Sequence, residues 1–215
     1  ISLRLVGSEM CIRDSAVSEK VGRKIVDLIQ WWEDYTMRNK AEMNNNPSPG
    51  NKAGGLTTIL EKSLGAVAKG GTSPLQQVYQ YAETVKSKGF VFMDSPGYDP
   101  VSVTGQVAAG ANVVCFTTGR GSVFGCKPAP SLKLATNSTM YRHIEEDMDV
   151  NCGEVLDGGK SVQQMGEEIF QLILDTASGK PSKSEAQGFG DHEFLPWQMG
   201  AVCLLYTSPS PRDED

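Results

Sequence analysis

Three short apolar runs constrain this chain most: FVFM (residues 90–93), NVVCFTT (112–118) and SLKLAT (131–136). Each is too short for a helix; FVFM is a continuous apolar run, the sign of a strand buried on both faces, and the other two are expected to form further buried strands. Each is followed at once by residues rich in Gly, Pro or small polar side chains: 94–100, 119–130 and 137–138. Helical stretches separate the runs. Strands alternating with helices predict an α/β fold, a mostly parallel sheet flanked by helices. Ligands of such sheets gather beyond the carboxyl ends of the strands, so these loops are where a site is expected.

The helical stretches are read from spacing. Val17, Val21, Ile25, Leu28, Ile29 and Trp32 recur at helical intervals, predicting one amphipathic helix over residues 18–40 with Ser18 as its N-cap. Trp31 and Trp32 are expected in a core or an interface. Residues 44–55, NNNPSPGNKAGG, predict a loop. Residues 56–71 predict a helix ended by a glycine pair. Residues 73–89 predict a second short helix, with Ser73 as N-cap and Pro74 at its first position. VSVTGQVAAGA (101–111) predicts a small-residue helix. Residues 161–179 predict an amphipathic helix carrying Val162, Met165, Ile169, Phe170, Ile173 and Leu174. The acidic run EEDMD (145–149) is expected to be a solvated face, and residues 180–202 an irregular surface wrap.

The two ends are a separate matter. Residues 203–213, CLLYTSPSPRD, and residues 5–14, LVGSEMCIRD, can be encoded by opposite strands of one DNA segment. Residues 1–15 and 203–215 are therefore expected to be translated sequencing adapter and are set aside from fold reasoning. Residues 1–15 are neutral overall and residues 203–215 carry −2, so the net charge of −6 becomes −4 between them. Neither value suits a nucleic-acid surface, and no run of Lys and Arg suggests one. No stretch approaches the roughly 18 apolar residues of a membrane span. The cysteines fall from five to three, Cys115, Cys126 and Cys152. Three without close spacing do not make a disulfide framework and point to a reducing compartment, hence the cytoplasm.

The most suggestive motif is TTGRG (117–121) at the tip of the second run. Thr117 and Thr118 offer hydroxyls. Gly119 and Gly121 let backbone approach a ligand closely. Arg120 can grip a carboxylate through two parallel hydrogen bonds. A solvent-facing turn is the plain alternative. GNKAGG (50–55) lacks phosphate-loop spacing, yet Asn51 and Lys52 precede a helix N-terminus, where anions are favoured. Asp94 and Asp99 flank a Pro-Gly loop and are candidates for metal ligation or for helix capping. Glu61 and Lys62 suit an exposed pair. Cys126 is the one of the three cysteines in a site loop. His143 and His192 are isolated and fit no metal-ligand spacing.

Three segments carry a resemblance: residues 44–71, 89–138 and 177–202 closely resemble the C-terminal region of the altronate and galactarate dehydratases. The large subunit of sulfolactate sulfo-lyase belongs to the same family. MDSPGYDPVS (93–102) and FGCKPAP (124–130) resemble the altronate branch more than the galactarate one. The resemblance implies a hydro-lyase that removes water from an altronate-type hexonate to give a 2-keto-3-deoxy acid. Galactarate dehydration and C–S cleavage of sulfolactate are the alternatives, and a non-catalytic anion-binding or assembly domain is the alternative of another class. It implies a divalent metal, Fe²⁺, as electrophile. By matching motif it makes Asn51, Lys52, Thr117, Thr118, Arg120 and Lys127 site candidates, with Lys52 the catalytic one and Lys127 a cation suited to a sulfonate. Relatives of this kind are about twice as long. Residues 16–50 are then expected to end a preceding helical region, and residues 51–202 to form the C-terminal α/β domain. A missing N-terminal region of the same chain is the expected partner, with a homo-oligomer as a further expectation.

Overall fold

The computed structural model describes residues 15–40, 52 and 59–198. The expected adapter segments, apart from Ser15, and nearly all of the 44–55 loop lie outside the described residues. The chain divides into two compact units. Among the described residues, one takes in those up to Gln80 together with Lys86–Asp94 and Gln198, and the other Tyr81–Val85 and Ser95–Trp197.

In the first unit, helix α1 spans Glu19–Arg38 and starts as its sequence predicts, with Ser18 accepting from Val21 N. Glu19 in the first turn and Arg38 in the last complement the helix dipole. Val21 and Ile25 are buried against Leu75 and Val78, and Leu28, Ile29, Phe90 and Phe92 pack around them. Helix α2 spans Ile59–Ala68 and is followed by Gly70 and Gly71, the latter at φ +59°.

The expected helix over 73–89 does not form. Its core is strand β1, Gln77–Tyr79, paired in parallel with strand β2, Val91–Met93. Leu75 bridges to Ala16 and is fully enclosed. Burial against α1 and a ladder to β2 outweigh the weak helical signal of a Ser-Pro start. The Tyr79 hydroxyl then organises the return, accepting from Lys86 N (3.1 Å) and Ser87 N (2.9 Å) and donating to Ser87 Oγ (2.9 Å). β2 is half-buried along its length, not covered on both faces as its apolar run suggests.

The second unit begins with helix α3, Asp99–Ala108, opened by Asp99 and Pro100 rather than at residue 101. Strand β3 spans Val114–Thr118, β4 Ser131–Ala135 and β5 Val150–Asn151. They form a parallel sheet in that order. Helix α4, Ser138–His143, links β4 to β5. A 3₁₀ turn, Cys152–Val155, follows, then helix α5, Val162–Ala177, and the short α6, Lys183–Ala186.

Register and alternation sort the sheet's side chains. Val114 pairs with Ser131, Phe116 with Lys133 and Thr118 with Ala135, so these six share one face. On that face Val114 joins Val103, Phe124, Cys126 and Ala129 in a core, with Phe116 packed against it. On the other face Leu134 and Val150 pack on Met165 of α5, with Ile169 and Leu172 beside them. All five β4 residues are buried. Three residues of the stripe expected on α5 are left exposed: Val162, Phe170 and Leu174. The sheet is three strands wide and reaches only the Met165–Ile169–Leu172 side of the helix.

α5 opens on a capping box. Ser161 Oγ accepts from Gln164 N (3.2 Å), and Gln164 Oε1 accepts from Ser161 N (2.9 Å). Ser161→Ala is expected to lower stability by about 1 kcal/mol, read from the midpoint of urea unfolding at unchanged slope.

The EEDMD segment is not simply a solvated face. Met148 is fully enclosed. Asp149 extends the β5 edge of the sheet: its N–H donates to Lys133 O (2.8 Å) and its Oδ2 accepts from Lys133 N (2.7 Å). Its Oδ1 accepts from Lys183 N (2.9 Å), which fastens the start of α6. The remainder of residues 180–197 is irregular, as expected.

Candidate functional site at the carboxyl end of the sheet

β3 and β4 run in parallel, so the residues after Thr118 and after Ala135 emerge side by side. Thr118 O accepts from Thr136 N (3.0 Å) and Thr136 Oγ1 (3.2 Å). Gly119 O accepts from Asn137 Nδ2 (3.0 Å), while Asn137 Oδ1 caps α4 by accepting from Met140 N (2.8 Å). The Thr118 hydroxyl oxygen accepts from Gly121 N (3.1 Å) and, at 3.4 Å, from Arg120 N. The result is a tight turn with Arg120 at its apex.

The turn accounts for the glycine at 121. Gly121 has φ +93°, and a Cβ there would stand 2.3 Å from Ile144 Cδ1. The Arg120 side chain is exposed, and among the described residues its guanidinium has no partner. An unpaired guanidinium held at a strand tip can take an external carboxylate.

The other candidates are placed less favourably. Thr117 pairs with Leu134, on the opposite face of the sheet from Thr118. The two hydroxyls therefore do not line one surface, and that of Thr118 is committed to the turn. Lys127 is ion-paired with Asp191 at 2.6 Å, both more than half exposed. The lysine holds the Asp191 carboxyl below its ordinary value, first by hydrogen bonding and then by charge. Cys126 is buried in the core, and that burial raises its thiol pKa, the opposite of an activated nucleophile. Lys52 is exposed in the first unit, and Asn51 lies outside the described residues.

Asp94 accepts from Trp32 Nε1 with both carboxylate oxygens, at 3.1 and 3.3 Å. Asp99 opens α3, where a carboxylate favours the helix. Among the described residues no three His, Cys, Asp or Glu side chains stand together in a way that could hold a metal ion. No helix among the described residues is long and apolar enough to cross a membrane.

Sequence reasoning missed Lys133. It lies in the middle of β4, is 0% exposed, and among the described residues its Nζ has no hydrogen-bond partner. Burial lowers its pKa; the charges of Asp147, Asp149 and Glu193 oppose that, and Lys183 adds to it. The signal that could have found it is a lysine inside a run read as a buried strand.

Several known enzymes resemble this chain in sequence. The chain is 37% identical over 180 residues to galactarate dehydratase (L-threo-forming) of Escherichia coli (strain K12), covering 84% of this chain and 34% of the relative. It is 36% identical over 185 residues to an altronate dehydratase of Bacillus subtilis (strain 168), covering 86% and 37%. It is 32% identical over 194 residues to (2R)-sulfolactate sulfo-lyase subunit beta of Chromohalobacter salexigens, covering 89% and 49%. The chain thus spans about a third of the length of the dehydratases it matches. The family model for the C-terminal part of D-galactarate/altronate dehydratases matches residues 3–202. An α/β unit of parallel strands, with its turns gathered at their carboxyl ends, and a match over nearly the whole chain lead to one statement: this chain belongs to the D-galactarate/altronate dehydratase family, in its C-terminal part.

Proposed function

We propose that the full-length protein is a hydro-lyase that dehydrates a sugar acid, an altronate-type hexonate, to a 2-keto-3-deoxy acid. Family membership supports the reaction class, and the unpartnered guanidinium of Arg120 at the strand-tip turn carries the assignment of a site in this chain. A base takes the proton on the carbon beside the carboxylate. The C–H electron pair forms the carbon–carbon double bond as the neighbouring C–O bond breaks. The departing hydroxyl leaves with a proton, as water, and the enol left behind tautomerises to the 2-keto acid. Charge grows on the carboxylate as the α-proton leaves, so a cation fixed against it lowers the barrier. Arg120 supplies that contact. Thr118, Gly119 and Gly121 belong to the same reading as neighbours of the carboxylate; Asn51, Thr117 and Lys52 stay candidates in the full-length protein, Lys52 as a source of charge or of acid–base function.

C–S cleavage of a sulfolactate-like substrate is the weaker reading. It calls for a free cation at Lys127, and Asp191 already occupies that lysine. A divalent metal, Fe²⁺ by family resemblance, stays part of the proposal for the full-length protein, with ligands to be sought outside the described residues of this chain. The unpaired thiols among the described cysteines support a cytoplasmic setting.

Turnover of altronate, galactarate and sulfolactate by the full-length protein decides the reaction and separates catalysis from mere anion binding. In that protein Arg120→Ala is expected to cut kcat/KM about 100-fold, the worth of two charge-assisted hydrogen bonds. The melting temperature should stay nearly constant, because the side chain is exposed. An unchanged rate removes Arg120 from the site.

A further inference from the structure

Two polar side chains on the sheet are unexplained by the site above. Ser131 and Lys133 stand two residues apart on β4, on the same face, and both are 0% exposed. Among the described residues neither Ser131 Oγ nor Lys133 Nζ has a hydrogen-bond partner. A buried ammonium without an acceptor is among the most costly arrangements a fold can hold. Two orphaned groups side by side on the central strand mark a place where a partner is missing.

The surrounding charges limit what that partner can be. Asp147, Asp149 and Glu193 stand close enough to act on Lys133, with Lys183 as the one neighbouring cation. Asp149 spends its two oxygens on Lys133 N and Lys183 N, and Glu193 accepts from Gly125 N at 2.6 Å. These groups bathe the ammonium in negative potential, yet none accepts a hydrogen bond from it. A second carboxylate brought here would meet three like charges. A hydroxyl would not: it accepts from the ammonium while exchanging a hydrogen bond with Ser131.

We propose that Lys133 Nζ and Ser131 Oγ form a buried subsite for the hydroxyl groups of a polyhydroxy acid. This rests on the sugar-acid reading above and assigns the substrate's carbon chain to a different place from its carboxylate. Entry is by displacement of residues 188–193. Glu193 belongs to that segment. Its fastenings include the exposed Lys127–Asp191 pair, the Glu193–Gly125 hydrogen bond and, at its start, Gly188 N and Phe189 N donating to Glu185 O and Ser184 O; Gly188 and Gly190 sit at φ +77° and +111°.

The test uses Lys133→Met and Ser131→Ala in the full-length protein. Methionine keeps the bulk and removes the unpartnered charge, so the ligand-free melting temperature of Lys133→Met should rise. At the same time its kcat/KM for the hexonate should fall about tenfold or more, with a smaller fall for Ser131→Ala. The rise in melting temperature that the hexonate gives the wild type should shrink in both variants. A 2-hydroxy acid with no other hydroxyl should not distinguish them from wild type. If Lys133→Met lowers stability and activity together, the acceptor is a protein group and the proposal is overturned. Unchanged kcat/KM overturns it as well. If the wild type dehydrates no sugar acid, the sugar-acid reading has failed, and the melting shift alone judges the subsite. A shift with a polyhydroxy acid in wild type but not in Lys133→Met sustains the subsite, and no shift in either removes it.

Discussion

Gly153→Ala is expected to be the most damaging small substitution in the second unit. A Cβ at Gly153 would lie 2.1 Å from Ser138 N, 2.5 Å from Asn137 C and 2.7 Å from Asn137 Cα. All three are main-chain atoms, so no rotamer change relieves the clash. The contact is also where the strand ends are tied together. Asn151 Oδ1 accepts from Gly153 N (3.1 Å), and the Asn151 amide exchanges hydrogen bonds with Ser138 Oγ at 3.0 and 3.2 Å. Moving one backbone away from the other breaks these and disturbs the Asn137 cap of α4. The loss should be about 4 kcal/mol or more, beyond the range of ordinary single substitutions. Chemical unfolding with circular dichroism measures it; a loss under about 1 kcal/mol would show that the two turns are free to separate.

Asp149→Ala is expected to cost about 3 kcal/mol. The substitution leaves the N–H groups of Lys133 and Lys183 without their acceptor and takes away one of three negative charges near an enclosed ammonium. Hydrogen bonds to a charged group contribute about 1.5–3 kcal/mol each, and a partner left unmade inside the protein costs more than the bond itself is worth. Asp149→Asn keeps one acceptor oxygen, so it should lose about half as much. The same unfolding experiment reads both. Equal stability of Asp149→Ala and wild type would mean that water replaces the carboxylate at both amides.

The pattern of these two residues shows what could be read from sequence. Glycine 153 and aspartate 149 matter through neighbours brought in from elsewhere in the chain, and nothing in the local string CGEV or EEDMD announces them. α1 and α5 were legible, because period and caps are local properties: the Ser18 cap and the apolar spacing of both helices lie within a few residues of sequence. β3 was legible for a similar reason, being a continuous apolar run; β4, which alternates around Lys133, was legible only as a short segment between two loops. β1 was not. Its residues become a strand through α1 and β2, a partner more than ten residues downstream, so a Ser-Pro start misleads. β5 has two residues, too few to carry a pattern.

For the candidate site, the TTGRG turn and its arginine could be located, but not the directions of its side chains. Alternation sends Thr117 and Thr118 to opposite faces, and a salt bridge to Asp191 occupies Lys127. Lys133 was overlooked because a lysine in a buried strand contradicts the rule that cations stay wet. Such a contradiction is where function and local preference part company.

Every strand pairing among the described residues is parallel, and this bears on how the polypeptide comes together as it is made. Parallel neighbours cannot zip from a tight hairpin; each rung waits for a passing segment to travel back along the first. A nascent chain leaves the ribosome with Val114–Thr118 unmatched until Ser131–Ala135 has followed it out. That second segment gains its other flank only when Val150–Asn151 arrives. The middle of the sheet thus pairs on one side when it emerges and waits for the last strand to cover the other.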